Sequence, residues 1–229
     1  VCVLPFTPTL QRYPARKFVT EILLRQVGMR ELVMGYDHGF GRGREGSAET
    51  LRELGRELGF AVDVVDAVQV DGNAVSSTRV RRLLEEGAVV AAARLLGRPY
   101  AVRGVVERGA QRGRELGFPT ANIRIDAPEK LVPREGIYLA YGVIDGTRVP
   151  GLLHLGPRPT FAGAGPAIEL HLLDWSGDLY GRTIQVDFCA RLRDIEAYVS
   201  AEALVAQMHR DREQGIAILE GRGGPSACA

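Results

Sequence analysis

The strongest constraint in this sequence is a change of hydrophobic period at Gly97-Arg98-Pro99. Before that point, helix-period segments alternate with short apolar runs. After it, from Tyr100 to Leu192, apolar and polar residues alternate between turns. The two periods suit different elements, so two architectures are expected in series. In the second stretch the clearest strands are Ala101–Glu107, Ile137–Ile144, Val149–Leu155, Ile168–Asp174 and Thr183–Phe188. Asp145-Gly146, between two of them, is a type I′ hairpin signal. Short antiparallel strands with no helices between them predict a small closed barrel. Ser200 then caps a long helix with Leu204, Met208 and Ile216 on its apolar side. The Gly-rich residues 221–229 are expected to form a flexible tail.

Residues 1–98 read as α/β. Val1–Phe6, Glu31–Gly35 and Ala61–Val65 are expected strands. Phe18, Ile22 and Val27 share one helical face, and Leu51, Leu54 and Leu58 share another that ends at Gly59. Ser76-Ser77-Thr78 opens a further helix, and Ala88 to Leu96 forms the last one. Three strands are few for a parallel, doubly wound sheet. With no initiator Met and an apolar opening run, the chain is expected to lack the start of this domain, which would expose a strand edge.

Composition removes several classes of function. At 229 residues, 45% hydrophobic and 25% charged, the chain is an ordinary globular one. A net charge of +1 gives no general attraction to nucleic acid or anionic membrane, and no apolar run is long enough for a membrane-spanning helix. Cys2, Cys189 and Cys228 are odd in number and far apart, which argues against a disulfide framework or zinc cluster and points to a reducing cytoplasm. Lys17 and Lys130 are the only lysines, and neither sits in a phosphate-binding motif.

The residues best suited to chemistry lie in the second half. Gly104, Gly109, Gly113 and Gly117 are interleaved with Arg103, Arg108, Arg112 and Arg114. Glycines let backbone N–H groups approach a phosphate and arginines supply the opposing charge. The same stretch also fits a barrel loop with solvated arginines; it is not a Walker A motif, because Ala110-Gln111 stand where Lys-Ser/Thr is needed. Pro119 fixes the entry to an extended segment in which Thr120 and Asn122 point the same way. Their oxygens are hard ligands of the kind Mg²⁺ takes alongside nucleotide phosphates, although both residue types also make ordinary turns. In Ile168-Glu169-Leu170-His171-Leu172 the alternation puts Glu169 and His171 on the face opposite the leucines. A strand carboxylate there is placed to accept the proton of an attacking alcohol, or else simply faces solvent. His38, His154 and His209 are read as structural.

Taken together, Gly104-Val105-Val106-x2-Gly109-x3-Gly113-Arg114-x2-Gly117-Phe118-Pro119-Thr120-Ala121-Asn122 resembles the signature of riboflavin kinases. Pro133-x2-Gly136-Ile137-Tyr138, Leu155-Gly156-x2-Pro159-Thr160-Phe161, Glu169 to Asp174, Asp178-Leu179-Tyr180-Gly181 and Leu192-Arg193-Asp194 resemble the same family in order. The resemblance implies a six-stranded antiparallel barrel over 99–220 with a C-terminal helix, converting riboflavin to FMN with ATP and Mg²⁺. It implies that Gly104, Gly109, Gly113, Arg114, Gly117 and Pro119 serve the nucleotide and that Thr120 and Asn122 bind Mg-ATP. Glu169 would be the base on the ribityl 5′-hydroxyl, and Arg193 with the following segment would close over the flavin. Tyr198 stands where the family usually has Phe.

Residues 1–98 resemble the FMN adenylyltransferase (FAD synthetase) module of bifunctional bacterial enzymes, a partial Rossmann-like nucleotidylyltransferase domain. The matching segments are Gly35-Tyr36-Asp37-His38-Gly39-Phe40-Gly41 with the following arginines, and Ser76-Ser77-Thr78-Arg79-Val80-Arg81. Gly35, Asp37, Phe40, Gly41, Ser77, Thr78 and Arg81 are the implied remnants of that site. A Ser/Thr-capped helix start flanked by arginines is an anion site on physical grounds too, or else a capping cluster beside a solvated face. The family's His-x-Gly-His occurs nowhere in these residues, so adenylylation of FMN to FAD is expected to be absent or feeble here. Small molecules are the expected partners. An RNA-binding barrel is disfavoured because residues 99–229 carry 15 Arg and Lys against 16 Asp and Glu. A non-catalytic flavin sensor is the main rival, and a stand-alone nucleotidylyltransferase the second.

Overall fold

The computed structural model describes residues 2–109, 113, 116–127, 129–157, 167–224, 226 and 228. The described chain divides into two compact units, Val1–Ala74 and Val75–Ala229.

In the first unit, β1 (Glu31–Gly35) pairs in parallel with β2 (Ala61–Val65), each residue opposite its counterpart from Glu31↔Ala61 to Gly35↔Val65. Two short helices, α1 (Pro8–Gln11) and α2 (Ala15–Lys17), come first, and α3 (Ala48–Leu58) crosses between the two strands. Ser47 caps α3 by accepting from the Thr50 amide, and Gly59 ends it in the left-handed region. Val19, Met34, Leu51, Leu54 and Phe60 form the core.

Two expectations fail here. The opening run Cys2–Phe6 is exposed coil, with Val3 and Phe6 turned to solvent; among the described residues no strand lies beside it to give it a ladder. The face of Phe18, Ile22 and Val27 is broken because α2 runs into a π-helix over Phe18–Leu24. With the amide of Val27 bonded to the Ile22 carbonyl, each turn is wider, so Ile22 stays buried while Val27 is exposed.

The second unit begins with α4 (Ser77–Glu85), capped by the Ser76 hydroxyl, and α5 (Val89–Leu96), which ends at the left-handed Gly97. The compact unit therefore starts well before the change of hydrophobic period. The small hairpin of β3 (Gln69–Val70) and β4 (Asn73–Ala74) ends the first unit.

Six strands follow: β5 (Tyr100–Glu107), β6 (Ala121–Ile125), β7 (Gly136–Ile144), β8 (Thr147–Gly156), β9 (Ala167–Leu172) and β10 (Thr183–Arg193). They close into an antiparallel barrel in the order β10-β5-β6-β9-β8-β7. Closure requires β10 to serve two neighbours: Thr183–Phe188 pairs with β5, and Gln185–Arg193 pairs with β7 across two register shifts. Val106, Ile123, Tyr138, Leu153, Leu170, Val186 and Phe188 are buried, with Tyr138 meeting Phe188 edge-to-face at 5.2 Å.

The last helix, α6 (Ala201–Leu219), lies against the outside of the barrel. Gly215 makes the close approach possible, since a Cβ there would sit 3.3 Å from Leu139 and 3.5 Å from Leu152. Its buried residues are Asp211, Gly215 and Ile218, while Leu204, Met208 and Ile216 are only half-buried. The cysteine and tail expectations also change. Cys189, set in the irregular stretch of β10, is bonded to Cys228, and Cys228 packs on the cluster of Leu139, Cys189, Ala190 and Ile218. The tail is thus tied back to the barrel, and the cysteines no longer argue for a reducing compartment.

Candidate active site

The segment 118–122 is fastened from several sides. Phe118 is buried between His171 on β9 and His209 on α6, with both ring centroids 5.1 Å away. The Phe118 amide donates to the Gly113 carbonyl at 2.7 Å, and His171 Nδ1 lies 2.8 Å from the Pro119 carbonyl. A carbonyl only accepts, so Nδ1 carries the proton in this bond. Burial, the leading cause, lowers the His171 pKa, and the nearby Arg212 guanidinium adds to this; the Pro119 bond works in the other direction. The neutral ring thereby has a defined tautomer.

The glycines before this segment have a steric role. A Cβ on Gly109 would lie 2.3 Å from Asn122 Nδ2 and 2.7 Å from its Oδ1. One on Gly113 would lie 2.3 Å from the Phe118 carbonyl oxygen and 3.3 Å from the Thr120 hydroxyl. Both glycines therefore let the preceding loop close directly on the two expected metal ligands. Gly117 has φ +82 with open space around it, so its need is conformational. Gly104 does not join this group: it is inside β5, where a Cβ would strike the Arg124 carbonyl at 2.3 Å. Arg114, Pro159, Thr160 and Phe161 lie outside the described residues.

Strand register brings the expected base to the same place. Asn122 on β6 is opposite Glu169 on β9, Glu169 is opposite His154 on β8, and Glu107 on β5 is opposite Asn122. Directly opposed residues have Cβ atoms about 5 Å apart. Glu169 is half-buried, and His154 is occupied by bonds from Nε2 to the Gly156 and Pro157 carbonyls at 3.2 and 2.8 Å. A pocket of about 630 Å³ adjoins this row, with Glu107, Asn122, Arg124, Glu135, Leu155 and Ile168 in its wall. That volume suits a nucleotide- or cofactor-sized ligand. Arg124 Nε donates to Glu107 at 2.5 Å along its rim.

Arg193 is at the far end of β10. Its guanidinium grips Asp211 of α6 with Nε at 2.8 Å and Nη2 at 2.7 Å, and Nη1 donates to the Asp194 carbonyl at 3.0 Å. Burial disfavours the Arg193 charge, but the Asp211 bonds outweigh this and raise its pKa. Beside it, Arg191 bonds the Glu135 carbonyl at 2.7 Å and Asp194 at 2.6 Å. Sequence reasoning missed Asp211: a lone Asp in a helix carries no signal of burial. It placed His171 on the same face as Glu169 but gave it no task.

The residues expected as nucleotidylyltransferase remnants fall in both units. In the first, Gly35 ends β1, the Asp37 carbonyl accepts from Arg44 at 2.7 Å, and Phe40 packs on Phe18 at 5.1 Å. Gly41, at φ +80, passes so close to Ala15 that a Cβ would lie 2.7 Å from its nitrogen. In the second, Ser77 and Thr78 are the exposed first residues of α4, Arg81 is exposed one turn on, and Ser76 provides the cap. Among the described residues no group of three or more His, Cys, Asp or Glu is placed to hold a metal, and no helix is long and apolar enough to cross a membrane.

Comparison with known proteins finds two families along the chain. The riboflavin kinase family model matches residues 96–219, and the FAD synthetase model matches residues 1–79. A bifunctional riboflavin kinase/FMN adenylyltransferase from Pseudomonas fluorescens is 40% identical, with the match covering 99% of this chain and 71% of that protein. The protein of the same name from Escherichia coli K12 is 37% identical over 86% of this chain and 63% of its own length. Among solved structures, one from Streptococcus pneumoniae titled a macrolide-efflux protein superposes with a TM-score of 0.81 at 30% identity, covering 92% of this chain and 67% of that one.

Proposed function

Because the chain belongs to the bifunctional riboflavin kinase/FMN adenylyltransferase family, and its second half is a riboflavin kinase, we propose how its residues divide that work. The observation that carries the reading is the register pair Asn122↔Glu169, which sets a hard-oxygen ligand beside a carboxylate at the edge of the pocket. Glu169 accepts the proton of the ribityl 5′-hydroxyl as its oxygen attacks the γ-phosphorus of ATP, and ADP leaves. Thr120 and Asn122 would hold a Mg²⁺ that arrives with ATP; two neutral oxygens in a cradle kept open by Gly109 and Gly113 suit an ion that keeps its waters and phosphates. Bound there, the ion would neutralise charge on the phosphates. Gly109, Gly113 and Gly117 shape the phosphate loop and Pro119 anchors it to His171, while Arg114 supplies positive charge; Gly104 serves the barrel wall. The Arg193 segment closes over the flavin. Residues 1–98 form the adenylyltransferase module, with Gly35 to Gly41 and Ser77 to Arg81 as its nucleotide-facing segments, and residues 99–220 form the kinase module. Within this stretch of chain the product is FMN, and the reaction is cytoplasmic, with no nucleic-acid or membrane partner.

Incubation with riboflavin, ATP and Mg²⁺ followed by separation of the flavins tests the reading. FMN is expected, with Glu169→Gln retaining riboflavin binding and losing roughly 100-fold or more in turnover. Turnover near that of the parent in this variant removes Glu169 from the role of base. Riboflavin binding without any product favours a sensor instead.

A further inference from the structure

We propose that Asp211 is a positioning residue for the flavin: through Arg193 it locks the 194–199 segment shut and thereby sets riboflavin affinity. The inference rests on the riboflavin kinase reading and deepens it. Arg193 is the last residue of β10 and Ser200 caps α6, so the segment between them is anchored at both ends. Three guanidinium nitrogens are committed, two to Asp211 and one to the Asp194 carbonyl. Arg193 therefore acts as a fastening and is not a charge free to meet a ligand. The fork is bidentate and planar, so it fixes direction as well as distance.

Asp211 is itself buried at 2% exposure and takes a third bond from Gln207 Nε2 at 2.8 Å. A buried ion pair contributes little net stability over apolar side chains of the same volume, so stability alone does not explain its place there. Its effect is on geometry. The Arg193 guanidinium faces the Tyr198 ring at 5.8 Å, holding the far end of the segment. In the middle, Ile195 Cδ1 packs where a Cβ on Gly156 would lie 2.8 Å away, and Gly156 is part of the pocket wall. Arg134 and Arg191 hold Asp194 from the barrel side at 3.4 and 2.6 Å. One carboxylate on α6 thus fixes a strap that reaches from the helix to the rim of the pocket.

The test compares Asp211→Asn with the double variant R193M/D211L, using steady-state kinetics, thermal melting and quenching of riboflavin fluorescence. Asp211→Asn is expected to raise the riboflavin KM at least tenfold, to lower kcat less than threefold and to leave the ATP KM unchanged. The double variant removes both buried charges together, so its Tm should return to that of the parent or higher while the riboflavin KM stays raised. A riboflavin KM within twofold of the parent in Asp211→Asn overturns the proposal. So does a double variant that recovers riboflavin KM together with Tm, because the pair is then merely structural; this variant also decides the matter if Asp211→Asn does not fold. If the parent protein makes no FMN, the kinase reading falls, and the fluorescence titration still decides: a tenfold weaker riboflavin Kd in the variants supports the strap, and an unchanged Kd refutes it.

Discussion

Gly109→Ala isolates the idea that the glycine loop serves the metal ligands by being absent where they sit. The new Cβ would lie 2.3 Å from Asn122 Nδ2, 2.5 Å from Cγ and 2.7 Å from Oδ1. All three are far inside contact distance, so the Asn122 amide must rotate or the loop must lift. Relief of overpacking of this kind costs about 1–3 kcal/mol, equivalent to roughly 2–12 °C in Tm for a protein of this size. The functional effect should be larger than that loss implies, because the displaced group is one of the two proposed Mg²⁺ ligands. Disturbing the setting of a metal ligand typically costs about 10–100-fold in metal affinity or activity. The control is Gly146→Ala in the hairpin between β7 and β8: φ +81 strains any L residue by about 1–2 kcal/mol, but no atom lies within 4 Å of its Cβ. The assay is FMN formation titrated with Mg²⁺ at saturating ATP and riboflavin, beside melting curves for both variants. Gly109→Ala should shift the half-saturating Mg²⁺ concentration upward about tenfold or more, and Gly146→Ala should lose stability without that shift. Equal Mg²⁺ dependence in the two variants refutes the reasoning.

Three further outcomes follow from the same structure. The bond between Cys189 and Cys228 spans 39 residues, which by chain entropy contributes about 4 kcal/mol; Cys228→Ser, or reduction of the parent, should lower Tm by on the order of 10 °C. His171 has a folded pKa depressed below 6.5, so its neutral form contributes stability that is present above 6.5 and lost as pH falls through the lower folded value. Urea denaturation from pH 7 downward should show that loss, and His171→Asn should flatten the slope; an unchanged slope refutes the assignment. Leu153 is fully buried opposite Leu170 and Tyr138, so Leu153→Ala should cost about 2–5 kcal/mol by denaturant melt.

Legibility in the sequence followed the range of the interactions involved. Strand identity was readable because alternation is local, and all five expected strands of the second half are present. Glu169 and Asn122 were both visible as chemistry, but their adjacency depends on β6 pairing with β9, a partner more than forty residues away with β7 and β8 between them in sequence. Cys2–Phe6 misled because an apolar run shows only that a strand could pair, not that a partner exists. Val27 misled because a π-helix shifts the period without a signature in side-chain hydrophobicity. Asp211 and the cysteine pair were illegible for a shared reason. Each acquires its role from one contact, Asp211 with Arg193 and Cys228 with Cys189, which sequence spacing does not encode.

The two sides of the candidate site are therefore built by opposite means, and this sets how each should tolerate change. On the proposed nucleotide side, precision comes from missing atoms: Gly109 and Gly113 lie directly against Asn122, Phe118 and Thr120, and any side chain there collides. On the proposed flavin side, it comes from a buried charge pair that fixes direction at little net gain in stability. Glycine positions admit no graded substitute, because even one methyl group reaches the ligand. The Arg193–Asp211 fork does, because a longer or uncharged acceptor at position 211 can keep part of the contact. Substitutions on the nucleotide side should thus act as a step and those on the flavin side as a slope. A series at position 211, Asp to Glu to Asn to Ala, should raise riboflavin KM progressively, whereas Gly109→Ala and Gly109→Ser should impair Mg²⁺ use to a similar extent.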